Sequence, residues 1–245
     1  MKVVLLGATR GMGRALAQEL ARRGESLFLL GRDASELERS ARDLEIRGAR
    51  GPVRHAPCDL LDATGFAAAL DAADAALEGF DTVILTAGLF AAQEKLEKDA
   101  ALLRDLLLAN FAHSVLFCEE ARRRLLARGG GTLCAFSSVA GDRGRKPVVL
   151  YGASKAGLSG YLEGLDHRYR SQGLVTICVK PGFVKTGMTA DLEPPPFAGE
   201  PEAVAAQVAR ALERGTPLVY APSVWRWVML LIRQLPRAVM RRVSF

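Results

Sequence analysis

Val3-Val4-Leu5-Leu6-Gly7-Ala8-Thr9-Arg10-Gly11-Met12-Gly13 stands at the head of the chain and runs straight into the amphipathic stretch over 11–23. A short apolar run that ends at glycines and passes into helical periodicity reads as strand, turn, helix. Glycines there permit a tight turn and let the backbone approach a pyrophosphate. The first turn of the helix then offers free N–H groups and the positive end of its dipole. The spacing is GxxxGxG rather than the GxGxxG of the usual dinucleotide fingerprint. Taken alone, it also fits a glycine turn that binds nothing.

Outward from this unit the same alternation continues. Apolar runs predict strands over 2–6, 26–30, 53–56, 82–86, 131–137, 175–180 and 217–220. Amphipathic stretches rich in Ala, Leu and Arg predict helices over 11–23, 34–47, 63–76, 94–107, 110–128, 149–171 and 201–214. Stacked βα units of this kind build an α/β fold, a doubly wound, seven-stranded parallel sheet. No repeat or low-complexity linker interrupts it, so residues 1–220 read as one domain and 221–245 as its extension. Residues 186–201 contain Pro194-Pro195-Pro196, read as irregular and follow a strand's carboxyl end, where open α/β sheets bind ligands. They are a candidate substrate lid.

The 245 residues are 49% apolar and 24% charged, which excludes a disordered or fibrous chain. The net charge of +6 is unevenly placed: residues 1–215 hold 28 basic and 27 acidic side chains, whereas 216–245 hold five arginines and no acid. A nucleic-acid binder would spread a basic face over the body, so no nucleic-acid partner is expected. Cys58, Cys118, Cys134 and Cys178 form no CxxC pair and have no nearby His at ligand spacing, so they read as buried thiols in a reducing compartment, with no metal site. Met1-Lys2 leads directly into Val3, too short for a signal-peptide core, and the longest apolar run of the tail, 227–232, is flanked by Arg226 and Arg233. No membrane span and a cytoplasmic protein are the expectations.

At the end of the second strand an NAD enzyme commonly carries an acid for the ribose 2′-hydroxyl. Here Gly31 is followed by Arg32. A guanidinium pairs with a 2′-phosphate that an acid would repel, and Arg10 in the glycine turn points to the same ligand. NADP(H) is therefore preferred, with NAD(H) still possible. The competing reading has Asp33 capping a helix and both arginines merely solvated. Farther along, Tyr151 and Lys155 lie one turn apart on one helix face. A charge about 4 Å from a phenolate at an effective dielectric of 20 contributes about 4 kcal/mol, or about three pKa units, enough to bring a phenol toward neutrality. An ordinary surface pair has the same spacing, but Ser138, at the end of a predicted strand beside that helix, can direct a hydroxyl at the same carbonyl oxygen.

With these residues in place the chain resembles a short-chain dehydrogenase/reductase, a Rossmann-fold family, over almost its whole length. The resemblance rests on the GATRGMG turn, Asp59 in Cys58-Asp59-Leu60, Thr86-Ala87-Gly88 where the family has Asn-Ala-Gly, Asn110, Ser138, the YxxxK of Tyr151 and Lys155, and Pro181-Gly182-Phe183-Val184-Lys185-Thr186. It implies Tyr151 as general acid, Ser138 orienting the carbonyl, Lys155 lowering the phenol's pKa and binding the nicotinamide ribose, and Asn110 holding a proton-relaying water. It implies cofactor contacts from Gly7, Thr9, Arg10, Gly11, Met12, Gly13, Arg32, Asp59, Leu60, Ala87 and Gly88. Pro181, Gly182, Val184 and Thr186 would close on the nicotinamide. Asn110 also reads as a helix-starting residue ahead of Phe111. Thr86 departs from the family and puts the hydrogen bonding at that strand end in question, while His55, His113 and His167 match no motif and read as structural or exposed.

The family's usual glycine-containing ending is missing. Trp225, Trp227, Met229, Leu230, Leu231, Ile232, Leu235, Val239 and Met240, interleaved with arginines, predict an amphipathic helix broken near Pro236. It could lie on the inner membrane face, fold back over the substrate cleft, form a subunit contact or stay disordered. Such tails are similar to those of family members that reduce lipid-linked or large apolar ketones, including polyprenyl-phosphate-linked keto-sugar reductases. The resemblance also implies a homodimer or homotetramer. The expected activity is NADPH-dependent reduction of a small-molecule or lipid-linked carbonyl. The alternatives are NAD-dependent alcohol oxidation on the same fold and a catalytically silent NADPH-binding sensor or scaffold.

Overall fold

Residues 3–6 have no polar side chain because strand β1 (Lys2–Leu6) has no solvent face: it pairs in parallel with β2 (Ser26–Gly31) on one side and β4 (Thr82–Leu85) on the other. The computed structural model, which describes residues 1–190 and 193–243, places seven parallel strands in the order β3-β2-β1-β4-β5-β6-β7. β3 is Arg54–Pro57, β5 Gly131–Phe136, β6 Leu174–Pro181 and β7 Leu218–Ala221. The expected α/β sheet is thus present.

Alternation along the strands feeds two cores. Val3 and Leu5 point to the layer formed by α1 (Gly11–Arg22), α2 (Ala34–Ile46) and α8 (Pro201–Arg214), while Val4 and Leu6 point to α3 (Phe66–Leu77) and the helices beyond it. Chain order reverses between β1 and β4, and a crevice opens above their carboxyl ends, as expected at a topological switch point.

Three expectations need correction. The helix predicted over 94–107 is two helices, α4 (Gln93–Lys98) and α5 (Ala100–Leu107), because Asp99 takes an extended backbone and its carboxylate accepts from Leu102 N at 2.9 Å. The break predicted before Asn110 is absent: α5 runs through a π-helical turn, Leu108–Ala112, into α6 (His113–Ala127). Asn110 therefore starts no helix. The resulting helix, Ala100–Ala127, is long and apolar enough by length and composition to cross a membrane, contrary to the expectation that no stretch would be. In this fold it packs on the sheet through Phe117, Cys118, Ala121 and Leu125.

After α7 (Val149–Tyr169) and β6, the proline-rich segment is tied at its base. Val184 bridges Gly199, and Gly199 N donates to Phe183 O at 2.8 Å. Asp191 and Leu192 of the candidate lid lie outside the described residues, as do Ser244 and Phe245 of the tail. The tail forms α9 (Trp225–Gln234) and α10 (Arg237–Met240), separated at Pro236 as its sequence predicts.

Phe117 is fully buried and meets Phe66 edge-on, ring centroids 5.5 Å apart, where the long helix joins the sheet. Phe117→Ala is expected to cost about 3–5 kcal/mol of stability, read from the shift in urea midpoint.

Candidate active site

The crevice at the switch point is a cleft of about 610 Å³ lined by the glycine turn, Arg32, Asp59, Leu60, Thr86 to Phe90, and Thr186 to Met188. Gly7 has φ +101°, and a Cβ on Gly13 would lie 2.1 Å from Gly7 O, so the turn can be this tight only with glycine at both positions. Thr86 holds it there. Its hydroxyl sits 3.1 Å from both Leu6 O and Gly7 O, a hydrogen bond shared between the end of β1 and the turn, which answers the question raised by the missing Asn.

Among the residues expected around a cofactor, Gly7, Thr9, Arg10, Gly11, Met12, Gly13, Arg32, Asp59, Leu60, Ala87, Gly88 and Thr186 line the cleft. Arg10 and Arg32 are exposed there and form no ion pair among the described residues. Asp33 turns away: its carboxylate accepts from Ser35 N and Glu36 N as the cap of α2. Asp59 shapes the β3 turn by accepting from Leu61 N at 2.9 Å. His113 Nδ1 donates to Leu60 O at 2.6 Å and so has a structural role toward the cleft wall. The narrow glycine cradle beside two unpaired guanidiniums fits a dinucleotide.

Tyr151, Lys155, Pro181, Gly182 and Val184 do not line this cleft. Pro181 is buried at the end of β6 beside Ala221, and Val184 belongs to the apolar core. Gly182 faces the tail: a Cβ there would overlap the Trp225 indole, whose Nε1 is buried without a partner among the described residues.

The polar end is assembled from β5, the long helix and α7. Ser138 leaves β5 in an extended conformation, and its hydroxyl accepts from Ala140 N at 3.1 Å. Ser137 fastens the strand to α7 by donating to Lys155 O at 2.8 Å. Gln93, which no sequence motif marked, accepts from Leu150 N at 3.1 Å and so caps the first turn of α7. On that helix Lys155 Nζ donates to Phe136 O at 2.9 Å and lies 5.9 Å from the centroid of the Tyr151 ring, which also meets Phe90 edge-on at 5.1 Å. Asn110 is fully buried. Its Oδ1 accepts from Leu89 N and its Nδ2 donates to Leu89 O, both at 2.7 Å. The π-helical turn delivers this clamp sideways from the helix, a use of π geometry that helical periodicity does not reveal.

The expected fall of the phenol toward neutrality does not occur. Burial pushes Tyr151 up to about 12, opposed by hydrogen bonding with Ser138. Burial also pulls the Lys155 ammonium down to about 8. Desolvation sets both directions, and the ammonium is hydrogen-bonded to Phe136 O rather than to the phenol.

Comparison with known proteins identifies the family. The family model for short chain dehydrogenase matches residues 1–196. The chain belongs to the short-chain dehydrogenase family. It is an NAD(P)-dependent oxidoreductase. An uncharacterized oxidoreductase of Mycobacterium tuberculosis is 34% identical over 242 residues, covering 98% of this chain and 96% of that protein. Carbonyl reductase family member 4 of Danio rerio is 31% identical over 196 residues, covering 77% and 78% of the two chains. Among solved structures, a variant of actinorhodin polyketide ketoreductase with NADPH superposes with a TM-score of 0.80 at 21% identity, over 89% of this chain and 94% of that one. At that identity the likeness concerns the fold.

The tail of this short-chain dehydrogenase folds back on the polar end, overturning the disordered alternative for its described residues. Met229 and Ile232 pack on Val139, next to Ser138, and on Tyr220. Arg143 Nη2 donates to Leu235 O at 2.7 Å. Beneath the tail, Asp142 is held by the Lys180 ammonium and by the Tyr220 hydroxyl, the latter at 2.6 Å. The opposite face leaves Trp227 and Leu231 66% and 68% exposed.

Thr86→Val keeps the shape of the side chain and removes its hydroxyl. It is expected to lower stability by about 1–2 kcal/mol and weaken dinucleotide binding, while Thr86→Ser retains both; denaturation and cofactor titration of the two variants check this.

Proposed function

We propose that this short-chain dehydrogenase is an NADPH-dependent reductase of an apolar or lipid-linked carbonyl compound. The observation that carries the reading is the convergence of Ser138, Tyr151 and Lys155 behind Gly88 and Phe90, which form one wall of a cleft that also bears the unpaired Arg10 and Arg32. The names of two similar proteins, a carbonyl reductase and a polyketide ketoreductase with NADPH, support the same direction.

The glycine turn would hold the dinucleotide's pyrophosphate, Arg10 and Arg32 its 2′-phosphate, and Asp59 its adenine end. When bound, the nicotinamide supplies a hydride to the carbonyl carbon. The Ser138 hydroxyl donates to the carbonyl oxygen and fixes its position. Tyr151 then gives its phenolic proton to that oxygen, leaving an alcohol and a phenolate. A phenol pushed up to about 12 keeps its proton at neutral pH and so meets the carbonyl in its acid form. The Lys155 ammonium stabilises the phenolate as it forms. Asn110 has its side-chain amide engaged with Leu89, so any water it orders for the proton relay is held by its backbone.

Arg10 and Arg32 oppose the NAD-dependent reading, and the presence of all four polar-end residues opposes a silent sensor. The outward Trp227, Leu230 and Leu231 support an apolar substrate and contact with the inner membrane face, with residues 221–245 as an extension of the catalytic domain. Leu107, Phe111 and Leu116, exposed on the long helix, support a homodimer or homotetramer. The four buried, unbridged cysteines support a cytoplasmic setting.

Tyr151→Phe is expected to lower ketone-dependent NADPH oxidation about a hundredfold or more with NADPH affinity unchanged. Reduction requires both the phenol and the ammonium protonated. Both hold their protons below about 8, so the rate should be level there and fall as pH rises through about 8 and Lys155 is neutralised. Steady-state rates across pH test the sign. Arg32→Asp is expected to move the kcat/KM preference from NADPH toward NADH; an unaltered ratio excludes the phosphate contact.

A further inference from the structure

A second cleft, of about 450 Å³, lies between the loop that follows Ser138 and the end of the tail. Five cations line it: Arg143, Arg145 and Lys146 from the loop, Arg237 and Arg241 from α10 and the residue after it. No acid lines it among the described residues, and none of the five forms an ion pair there. Several arginines elsewhere are matched, as Arg23 is with Glu19 and Glu213, Arg124 with Asp71 and Glu120, and Arg128 with Asp74. The nearest acid along the loop, Asp142, is already held by Lys180 and Tyr220.

Arg145 Nε is buried with no hydrogen-bond partner among the described residues, and burial pulls its guanidinium below the usual arginine value. Like charges brought together on two separate segments repel unless an anion lies between them. We propose that this cleft binds a phosphate or diphosphate group, and that it does so for the carbonyl substrate of the neighbouring site. Guanidinium forks match phosphate oxygens in bidentate fashion, and a diphosphate carries enough negative charge to balance several of them. Val149 and Met240 supply an apolar wall for the carbon chain that such a group esterifies.

The location gives the anion a use. Val149 stands in the first turn of α7, the helix that carries Tyr151, and Arg143 follows Ser138 by five residues, so the cleft lies at the start of that helix and along the loop that leaves the serine. An oxyanion gripped here would anchor a substrate that reaches from the start of α7 toward the phenol. The uneven charge of the sequence gains a purpose: two of the tail's five arginines complete the cluster begun by the loop.

The inference rests on the carbonyl-reductase reading, but its test does not need turnover. Sodium pyrophosphate is titrated calorimetrically into the full-length Arg10→Gln/Arg32→Gln protein, which weakens anion binding at the dinucleotide end. Binding is expected to persist there and to fall at least tenfold when Arg145→Gln and Arg241→Gln are added. Arg237→Gln/Arg241→Gln, confined to the exposed end of the tail, should weaken it in the same direction with an unaltered melting curve. Affinity unchanged in both sets would overturn the site. Sedimentation with phosphatidylcholine vesicles, with and without phosphatidylglycerol, separates the sources. Vesicle binding that pyrophosphate competes away assigns the group to a lipid headgroup, and pyrophosphate binding without vesicle binding assigns it to a soluble ester. If no ketone is reduced and pyrophosphate still binds, the reductase reading fails and the anion site stands.

Discussion

The pairing of β1 on both edges is the constraint on which the rest depends. A strand flanked in parallel by β2 and β4 must send its outgoing connection to one face of the sheet, while the connection entering β4 returns from the other. The two connections separate above the strand ends. That separation leaves the glycine turn and the β4 end facing each other across open space, and Thr86 closes the remaining gap with a single hydroxyl. The dinucleotide cleft is thus a product of sheet order, and its chemical lining is a small addition to it.

The polar end is organised differently. It is held by side chains whose polar atoms satisfy backbone groups of other elements: Gln93 for Leu150, Asn110 for Leu89, Ser137 for Lys155 and Lys155 for Phe136. Each bond lies in a region with little water to compete, so breaking one leaves an unmatched group rather than a hydrated one. This network keeps Ser138 and Tyr151 adjacent. It also explains why burial, more than the neighbouring ammonium, governs the phenol.

Much of this was legible in the sequence because it rests on local pattern. The apolar runs at 2–6 and 131–136, the GATRGMG turn and the Tyr151–Lys155 spacing are each readable within one or two turns of chain. What escaped depends on distance or on rare geometry. Asp99 breaks a periodic stretch through one cap. The π-helical turn at Leu108–Ala112 shifts helical phase by a residue, which a 3.6-residue period cannot register. Gln93 and His113 act through partners 57 and 53 positions away. The tail's amphipathic pattern predicted a helix correctly, yet the same pattern suits a lipid surface and a protein surface, and only contacts with Val139 and Tyr220 distinguish them.

Those contacts give the tail a mechanical meaning. Trp225 rests on Gly182, beside the strand end expected to meet the nicotinamide, and Met229 rests on Val139, beside the serine expected to meet the carbonyl. In the proposed reduction, one helix therefore touches both walls between which hydride and proton would travel. Mutational change in the last two dozen residues can retune that spacing without altering a single motif of the catalytic domain.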